Sequence, residues 1–203
     1  LKRLTNSCAE KNELDILFLD GWYTDEQLKP KRRIVSEKLI KRIFDSPLDA
    51  FASLWTYQAL GCFVINRNAL NESKIERYMG LNHSYCCIIW EYLINILEKN
   101  TKCNVICTQE PLVLLRVIEK SWSQDYLKIM LHDWPESLER LPRHFDSIKK
   151  EVLLKYRKNM TRIPSLVVYR ANYNLSDDFI STYMGNYPLF SKIKTKIIVS
   201  LPI

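Results

Sequence analysis

The chain has 203 residues, a hydrophobic fraction of 47% and a charged fraction of 26%, values typical of a globular protein that exclude a disordered chain. Its four glycines argue against a glycine-rich phosphate loop and against a turn-dense all-β sandwich. The formal net charge of +7 suits nucleic acid, anionic lipid headgroups or phosphorylated small molecules. It equally suits a protein whose lysines only keep it dispersed.

The cysteines and the first residue bear on the compartment and on the extent of the chain. The six cysteines include no C-x-x-C pair, and Cys86 and Cys87 lie in an apolar run, where thiols behave as small hydrophobic groups. We expect free core thiols and a reducing, cytoplasmic compartment. The sequence begins with Leu1 and carries no secretory signal pattern, so we expect it to be a piece of a longer gene product.

Four short apolar runs predict β-strands, at residues 14–19, 62–65, 103–107 and 112–117. The first run is followed by an Asp-Gly pair that is expected to close the strand. The basic segment at residues 29–33 is expected to be a solvated loop rather than a binding patch.

Helical patterns alternate with these runs. Ser46 predicts an N-cap, with Pro47 and Asp49 in the positions that favour a helix start. A helix over residues 84–98 has so narrow a polar stripe that it must be buried on most of its circumference. The helix that starts at Pro47 is predicted to have a core face made by Leu48, Phe51, Ala52, Trp55 and Ala59. Further patterns predict three more helices, over residues 69–77, 122–130 and 147–158. Alternating strands and helices predict an α/β domain.

The last part of the sequence is expected to be a helical tail. Leu189, Ile193, Ile197 and Leu201 are spaced four apart, with Lys192 and Lys196 on another face. Such a basic amphipathic helix either lies on an anionic membrane or packs against its own domain, and the sequence leaves both interpretations open. We predict a domain at residues 1–160 and a helical, membrane-associating or domain-packed tail at 161–203.

The order of motifs resembles a known family. Along the chain come a helix, Gly61, an apolar strand, Arg67, a short helix, Tyr78-Met79-Gly80, and then Asn82-His83 leading a buried helix. This order is similar to the acceptor side of GT-A glycosyltransferases of family 2. The resemblance is strongest to abequosyltransferase-like enzymes, which transfer deoxysugars in surface polysaccharide assembly. It covers residues 13–157 and extends to two later elements, Glu110-Pro111-Leu112 up to Arg116 and Ser121-Trp122-Ser123.

The resemblance implies a fold and an activity. The expected fold is α/β, part of a GT-A type layered sheet with helices on its faces, followed by the helical tail. The expected reaction is inverting transfer of a sugar from a nucleotide-sugar donor to a saccharide or lipid-linked acceptor in bacterial surface polysaccharide biosynthesis, at the inner face of the cell membrane. The family uses Mn²⁺ or Mg²⁺ held by a D-x-D motif, which this sequence lacks. The Asp177-Asp178 pair fits a helix start better than a metal site.

The resemblance also suggests site residues. Family 2 enzymes usually carry Glu-Asp where this chain has Asn82-His83, so His83 is the candidate catalytic base, with capping or packing as its structural alternative. The other candidates also have structural alternatives. Trp55 would be packed in the core, Glu91 would lie in the polar stripe of its helix, and Arg67 and Arg116 would form surface ion pairs. No role is expected for His132 or His144. The candidate acceptor-binding residues are Trp55, Tyr57, Arg67 and Glu91, and the candidate donor-binding residues are Asp20, Arg116 and Trp122.

Two other classes of function compete with a transferase. A non-catalytic basic module would bind nucleic acid or a protein partner through clustered basic residues with exposed aromatic side chains between them. Here the basic residues are scattered and the aromatic residues fall mostly on apolar faces, so we expect no nucleic-acid partner. A degenerate transferase that has lost catalysis is the other alternative.

Overall fold

The computed structural model describes most of the chain, and its residues fall into two compact units. The first unit takes the described residues of Leu1–Ile75 and Ile88–Glu119, and the second takes those of Glu76–Cys87 and Lys120–Ile203. The domain limits predicted from the sequence, 1–160 and 161–203, stay a prediction. The described residues are 15–40, 42–44, 46–56, 62–65, 75–82, 84–98, 104–108, 110–116, 125–173 and 175–201.

The first unit contains two small mixed sheets. In one of them β1 is central, parallel to β6 and antiparallel to β5, and β4 pairs with β6 on the far side. In the other β2 is central, antiparallel to β3 and parallel to β7. The strands are β1 (Ile16–Phe18), β2 (Gly21–Thr24), β3 (Pro30–Arg33), β4 (Ile43–Phe44), β5 (Phe63–Ile65), β6 (Val105–Cys107) and β7 (Val113–Arg116).

Two helices accompany these sheets, α1 (Pro47–Leu54) and α2 (Ser84–Glu98). The predicted cap is confirmed, because the Ser46 side chain accepts from the backbone N–H of Asp49 and Pro47 is the first helical residue. Helix α2 is buried along most of its length, as its thin polar stripe predicted. Trp90 on α2 stacks with Phe18 of β1 at 5.9 Å between ring centroids, so the helix packs on the sheet through aromatic contact.

The second unit is helical in its described residues. Its core gathers Leu127, Leu131, Leu166, Ile180 and Met184, together with buried tyrosines. A helix begins at Asp177 as predicted, with Ser176 as its N-cap. The helices are α3 (Tyr126–Lys128), α4 (Trp134–Glu139), α5 (Asp146–Met160), α6 (Ile163–Tyr173), α7 (Asp177–Tyr183) and α8 (Leu189–Ser200), with a π-helix, Ile129–Asp133, between α3 and α4.

Several sequence predictions need correction. The basic segment expected to be a loop is strand β3, exposed as predicted but paired with β2, because its backbone completes that sheet. The first strand ends at Phe18, before the Asp-Gly pair as predicted, but a further strand, β2, starts at Gly21 and was not predicted. Ala52 is exposed, and α1 buries Ala50 and Leu54 instead. The strands predicted at 14–19, 62–65, 103–107 and 112–117 are confirmed in their described parts, whereas Ala59, Gly61 and Cys103 lie outside the described residues.

Gly21 gives a test of how closely β2 and β7 approach. A Cβ at this position would lie 2.1 Å from the carbonyl oxygen of Val113, its register partner, so Gly21→Ala forces backbone to move. We expect this change to lower the free energy of unfolding by at least about 2 kcal/mol, measured by urea denaturation. Gly185→Ala is the matched control, because nothing lies within 4 Å of its Cβ position. Equal losses in both variants would contradict the close approach.

Candidate functional site

The structure describes four of the residues that the sequence proposed for a site. Asp20, Trp55, Glu91 and Arg116 lie in described segments. The other candidates, His83, Tyr57, Arg67 and Trp122, lie outside the described residues, and their roles stay predictions.

Trp55 and Glu91 are both covered by protein. Trp55 is the C-cap residue of α1 and is 6% exposed, and Glu91, in the middle of α2, is 3% exposed. Its chain neighbours Trp90 and Tyr92 are equally buried. In this conformation Trp55 offers no broad exposed face to stack on a sugar ring, and the Glu91 side chain is covered by protein. Their proposed acceptor contacts therefore stay a prediction.

Asp20 lies at the corner where β1 passes into β2, and it is fully buried. One carboxylate oxygen accepts from the backbone N–H of Val35 at 3.0 Å, and the other is paired with Nε of Arg33. The backbone N–H of Asp20 donates to the hydroxyl of Thr108 at 2.8 Å. Both oxygens are thus engaged inside the protein, which gives this carboxylate a structural role.

Asp20 and Arg116, both proposed to bind the donor, are not brought together. Asp20 precedes Gly21, which pairs with Val113, whereas Arg116 pairs with Thr24 at the other end of the same two strands. At about 3.3 Å per residue, the two positions are separated by about 13 Å along the sheet. Arg116 is exposed.

A second buried carboxylate, Asp133, organises a polar cluster in the second unit. It ends the π-helix and is 0% exposed. Its Oδ2 accepts from the side-chain amide of Asn82 at 2.7 Å and, more weakly, from the Asn82 backbone N–H at 3.4 Å. The ammonium of Lys128 lies 2.9 Å from both oxygens. We call Asn82, Lys128, His132 and Asp133 the Asp133 cluster.

His132 is held by the same carboxylate. Its Nδ1 lies 3.0 Å from Oδ1 of Asp133, and its ring meets Tyr183 edge-on at 5.2 Å between ring centroids. Because an ionised carboxylate only accepts hydrogen bonds, Nδ1 carries the proton and Nε2 is left to exchange protons. The His132 side chain is 34% exposed. An imidazole oriented by a carboxylate is suited to general-base catalysis.

The charge state of Asp133 follows from these contacts. Burial acts to raise the pKa of this carboxyl, but hydrogen bonds from His132, Lys128 and Asn82 outweigh it. The pKa therefore lies below its ordinary value of 3.8, and the cluster holds a carboxylate anion at neutral pH.

The π-helix is the local feature that positions His132 and Asp133. Its altered hydrogen bonding leaves carbonyl groups that need other donors. The hydroxyl of Tyr156 donates to the Met130 carbonyl at 2.8 Å, and that of Ser137 donates to the Asp133 carbonyl at 2.7 Å. These bonds stabilise the wider turn. Short π-helices occur frequently at functional sites.

The sequence alone gave no signal for the cluster. Asn82 and Asp133 are separated by 51 positions, and no spacing rule links them. The local clue is His132-Asp133 itself, a neighbouring acid and histidine shortly after the predicted helix 122–130, which carries Lys128. Adjacent positions point to different sides of a regular α-helix, so the pair carries little weight before the π-helix is known.

An open pocket of about 630 Å³ also lies in the second unit. Its charged groups largely bind one another, with Glu139 paired to Arg157 and hydrogen-bonded by the Asn186 amide at 3.3 Å. Lys149 donates to the backbone carbonyl groups of Glu139 and Leu141. Nε of Arg157 and the hydroxyl of Tyr187 line the pocket without a hydrogen-bond partner among the described residues, but the Glu139 carboxylate is already paired, so the pocket offers less to proton transfer than the Asp133 cluster.

The described residues contain no group of three or more metal-ligating side chains. Around Asp133, the ammonium of Lys128 occupies the position beside both oxygens that a cation would take. The thiols are no better suited as ligands or nucleophiles, since burial, aided by the charge of Asp20, raises the pKa of Cys62 to about 11 and that of Cys107 to about 12. The predicted divalent cation stays a prediction.

Comparison with protein-family models, curated proteins and solved structures finds no match to this chain. The candidate site is therefore argued from its own geometry.

Asp20→Ala tests the structural role of the first carboxylate. Removing one partner of a buried ion pair typically costs about 3–5 kcal/mol, and we expect about 3 kcal/mol here because Arg33 is 26% exposed and regains water. Asp49→Ala is the control, since its pair with Arg42 is exposed and should contribute less than about 1 kcal/mol. Urea unfolding measures both, and a loss below that of the control would contradict this role for Asp20.

Asp133→Asn tests the charge of the cluster. It leaves the Lys128 ammonium without its carboxylate, and we expect a loss of about 2 kcal/mol at neutral pH, below the cost for a fully buried pair because Lys128 is 34% exposed. A carboxyl with a lowered folded-state pKa contributes stability that is complete above the unfolded value and lost as pH falls through the folded value. The variant should therefore lose less stability than the wild type on acidification below the ordinary pKa of 3.8.

Urea unfolding from about pH 7 to about pH 3 measures this difference. Asp146→Asn is the matched control, because Lys149 lowers the pKa of Asp146 in the same direction but at an exposed site. We expect the control to change stability and its pH dependence less. Identical pH profiles for the wild type and Asp133→Asn would show that this carboxyl is not held in its charged form.

Proposed function

We propose that this chain provides the acceptor side of a GT-A type glycosyltransferase that moves a sugar from a nucleotide-sugar donor to a saccharide or lipid-linked acceptor. The proposal includes its setting, bacterial surface polysaccharide biosynthesis at the cytoplasmic face of the membrane. The mixed α/β architecture and the order of motifs along the chain support it.

The observation that carries the proposal is the hydrogen bond from Asn82 to the buried carboxylate of Asp133. It holds the chain directly before His83, two residues ahead of helix α2. This is the place where the resemblance expects the catalytic base. A base must be positioned within hydrogen-bonding reach of the acceptor hydroxyl, and a bond that anchors the neighbouring residue Asn82 supports such a role for this part of the chain.

In the proposed reaction an acceptor hydroxyl attacks the anomeric carbon of the donor sugar. The new carbon–oxygen bond forms as the bond to the diphosphate oxygen breaks, and the electron pair of that bond leaves with the nucleoside diphosphate. The base takes the hydroxyl proton, which raises the nucleophilicity of the oxygen as the bond forms. Attack opposite the leaving group inverts the anomeric configuration.

Two histidines compete for the role of base. His83 is favoured by its place in the motif order. His132 is favoured by its geometry, since Asp133 orients its ring and leaves Nε2 to accept a proton. We propose His83 as the base and His132 as the alternative, with Asp133 as the positioning residue in either case.

A divalent cation, when bound, would neutralise charge on the leaving diphosphate. The described residues provide no ligand set for it, so no step of this proposal passes through a metal. Donor contacts by Asp20, Arg116 and Trp122, and acceptor contacts by Trp55, Tyr57, Arg67 and Glu91, belong to the proposal on the basis of the resemblance alone.

The natural gene product, given a panel of nucleotide sugars with Mn²⁺ and saccharide acceptors, should release nucleoside diphosphate. His83→Ala should lower kcat by about 10²–10⁴-fold, the usual contribution of a general base, with little change in KM. His144→Ala is the control, because this exposed histidine lies outside the Asp133 cluster, and it should leave kcat unchanged.

The same assay decides between the two histidines. If His132→Ala abolishes the acidic limb of the pH–rate profile, where activity rises as the base loses its proton, and His83→Ala leaves it intact, the base is His132. Should no nucleotide sugar be consumed while the protein retards nucleic acid in a salt-dependent manner, the proposed activity is wrong and a basic binding module is favoured.

A further inference from the structure

Helix α8 (Leu189–Ser200) is turned opposite to the usual orientation of an amphipathic helix. It buries two small polar residues, Ser191 at 7% exposed and Thr195 at 0%. Ile198 and Val199 are partly buried against the core of the second unit, but the other large apolar side chains face solvent with exposures between 47% and 75%, and this exposed set continues into the residue after the helix. We call this set the α8 apolar face; it comprises Leu189, Phe190, Ile193, Ile197 and Leu201.

Specific contacts fix this orientation. The hydroxyls of Thr161 and Ser191 are hydrogen-bonded to each other at 3.1 Å, which ties α8 to the end of α5. Arg170 of α6 binds the C-terminal carbonyl groups of α8, those of Ile198 and Leu201. Rotating the helix to bury its apolar face would break the Thr161–Ser191 bond and the bonds from Arg170, and it would remove Ile198 and Val199 from the core, which is costly.

The α8 apolar face is bordered by positive charge on both sides. At about 100° per residue its side chains cover an arc of about 120°, with Lys194 at one margin and Lys192 and Lys196 at the other. Lys194 lies over the ring of Phe190, with 5.8 Å from its Nζ to the ring centroid. Residues 189–201 contain no acidic side chain.

We propose that α8 lies in the headgroup layer of a membrane that contains anionic lipids, with the α8 apolar face toward the acyl chains. Lysines at the margins of an apolar face extend their ammonium groups to phosphate oxygens while their aliphatic stems stay in the apolar zone. A second copy of the chain is the less favourable occupant, since it would bring the same lysines against each other.

The dimensions agree with a helix parallel to the surface. Twelve residues make a helix about 18 Å long, shorter than the hydrocarbon core of a bilayer, which is about 30 Å thick. Within the segments that the structure describes, none of the helices combines the length and apolar character needed to cross a bilayer. This inference does not depend on the proposed reaction.

Co-sedimentation of the natural gene product with vesicles tests the proposal. Vesicles of phosphatidylcholine mixed with phosphatidylglycerol should bind the protein, and phosphatidylcholine alone should bind it much less. Binding should weaken with added salt. No binding to the anionic vesicles, or equal binding to both kinds, would overturn the proposal.

Two double variants separate the charge from the apolar face. Lys194→Glu with Lys196→Glu should weaken binding by about 25-fold or more, since each basic residue near an anionic surface contributes about fivefold. Ile193→Ser with Ile197→Ser should weaken it by at least about tenfold, because both side chains leave the acyl region.

Matched controls come from the same unit. Lys155→Glu with Lys158→Glu makes the same charge change on exposed positions of α5, and Leu154→Ser with Ile163→Ser removes apolar side chains of similar exposure, 57% and 56%. We expect both controls to bind within about twofold of the wild type, because neither pair belongs to α8. Circular dichroism should show all four variants folded.

Equal losses in the controls would overturn the proposal. So would a dimer in analytical ultracentrifugation that the α8 variants dissociate, since the face would then belong to a second copy.

Discussion

The first unit depends on the buried carboxylate of Asp20. Its backbone N–H binds the Thr108 hydroxyl beyond β6, and its carbonyl accepts from the N–H groups of Leu112 and Val113 at the start of β7. Its carboxylate holds Arg33 and the Val35 backbone beyond β3. A buried anion is tolerated only when such partners offset its desolvation. The chain segments that carry these partners must therefore all be in place around Asp20 at the same time. Gly21 then allows β2 to follow without a Cβ against Val113.

Asp133 plays a corresponding part in the second unit, with a different chemical consequence. Asp20 is enclosed by a guanidinium and backbone groups, which leaves it a structural carboxylate. Asp133 is equally buried, yet one of its partners, His132, is about a third exposed and keeps a nitrogen for proton exchange. The same physical need, to pair a buried charge, thus makes a sheet corner in one unit and a candidate catalytic position in the other. The difference lies in whether a titratable partner reaches solvent.

Helix α8 illustrates why an amphipathic pattern does not determine which face is buried. Burying apolar area usually dominates, and that rule favours packing Ile193 and Ile197 inward. In this protein Thr161 and Arg170 present hydrogen-bonding groups that Ser191 and the end of α8 satisfy, so the small polar side is the one that fits. The apolar side is left outward with lysines around it. An amphipathic helix can therefore be held on the protein by small polar residues flanked by Ile198 and Val199, and present its larger apolar face to a second environment.

The sequence by itself determined the local elements: the short buried strands, the Ser46 cap, the helix start at Asp177-Asp178, and the nearly all-buried helix α2. These follow from periodicity and capping, which depend on residues within one or two turns of each other. Only the tertiary structure decided the second sheet, the π-helix, the outward face of α8 and the bond from Asn82 to Asp133 across 51 positions. Such features are set by which buried polar groups can be paired once the chain is packed, and no short-range pattern in the sequence encodes that pairing.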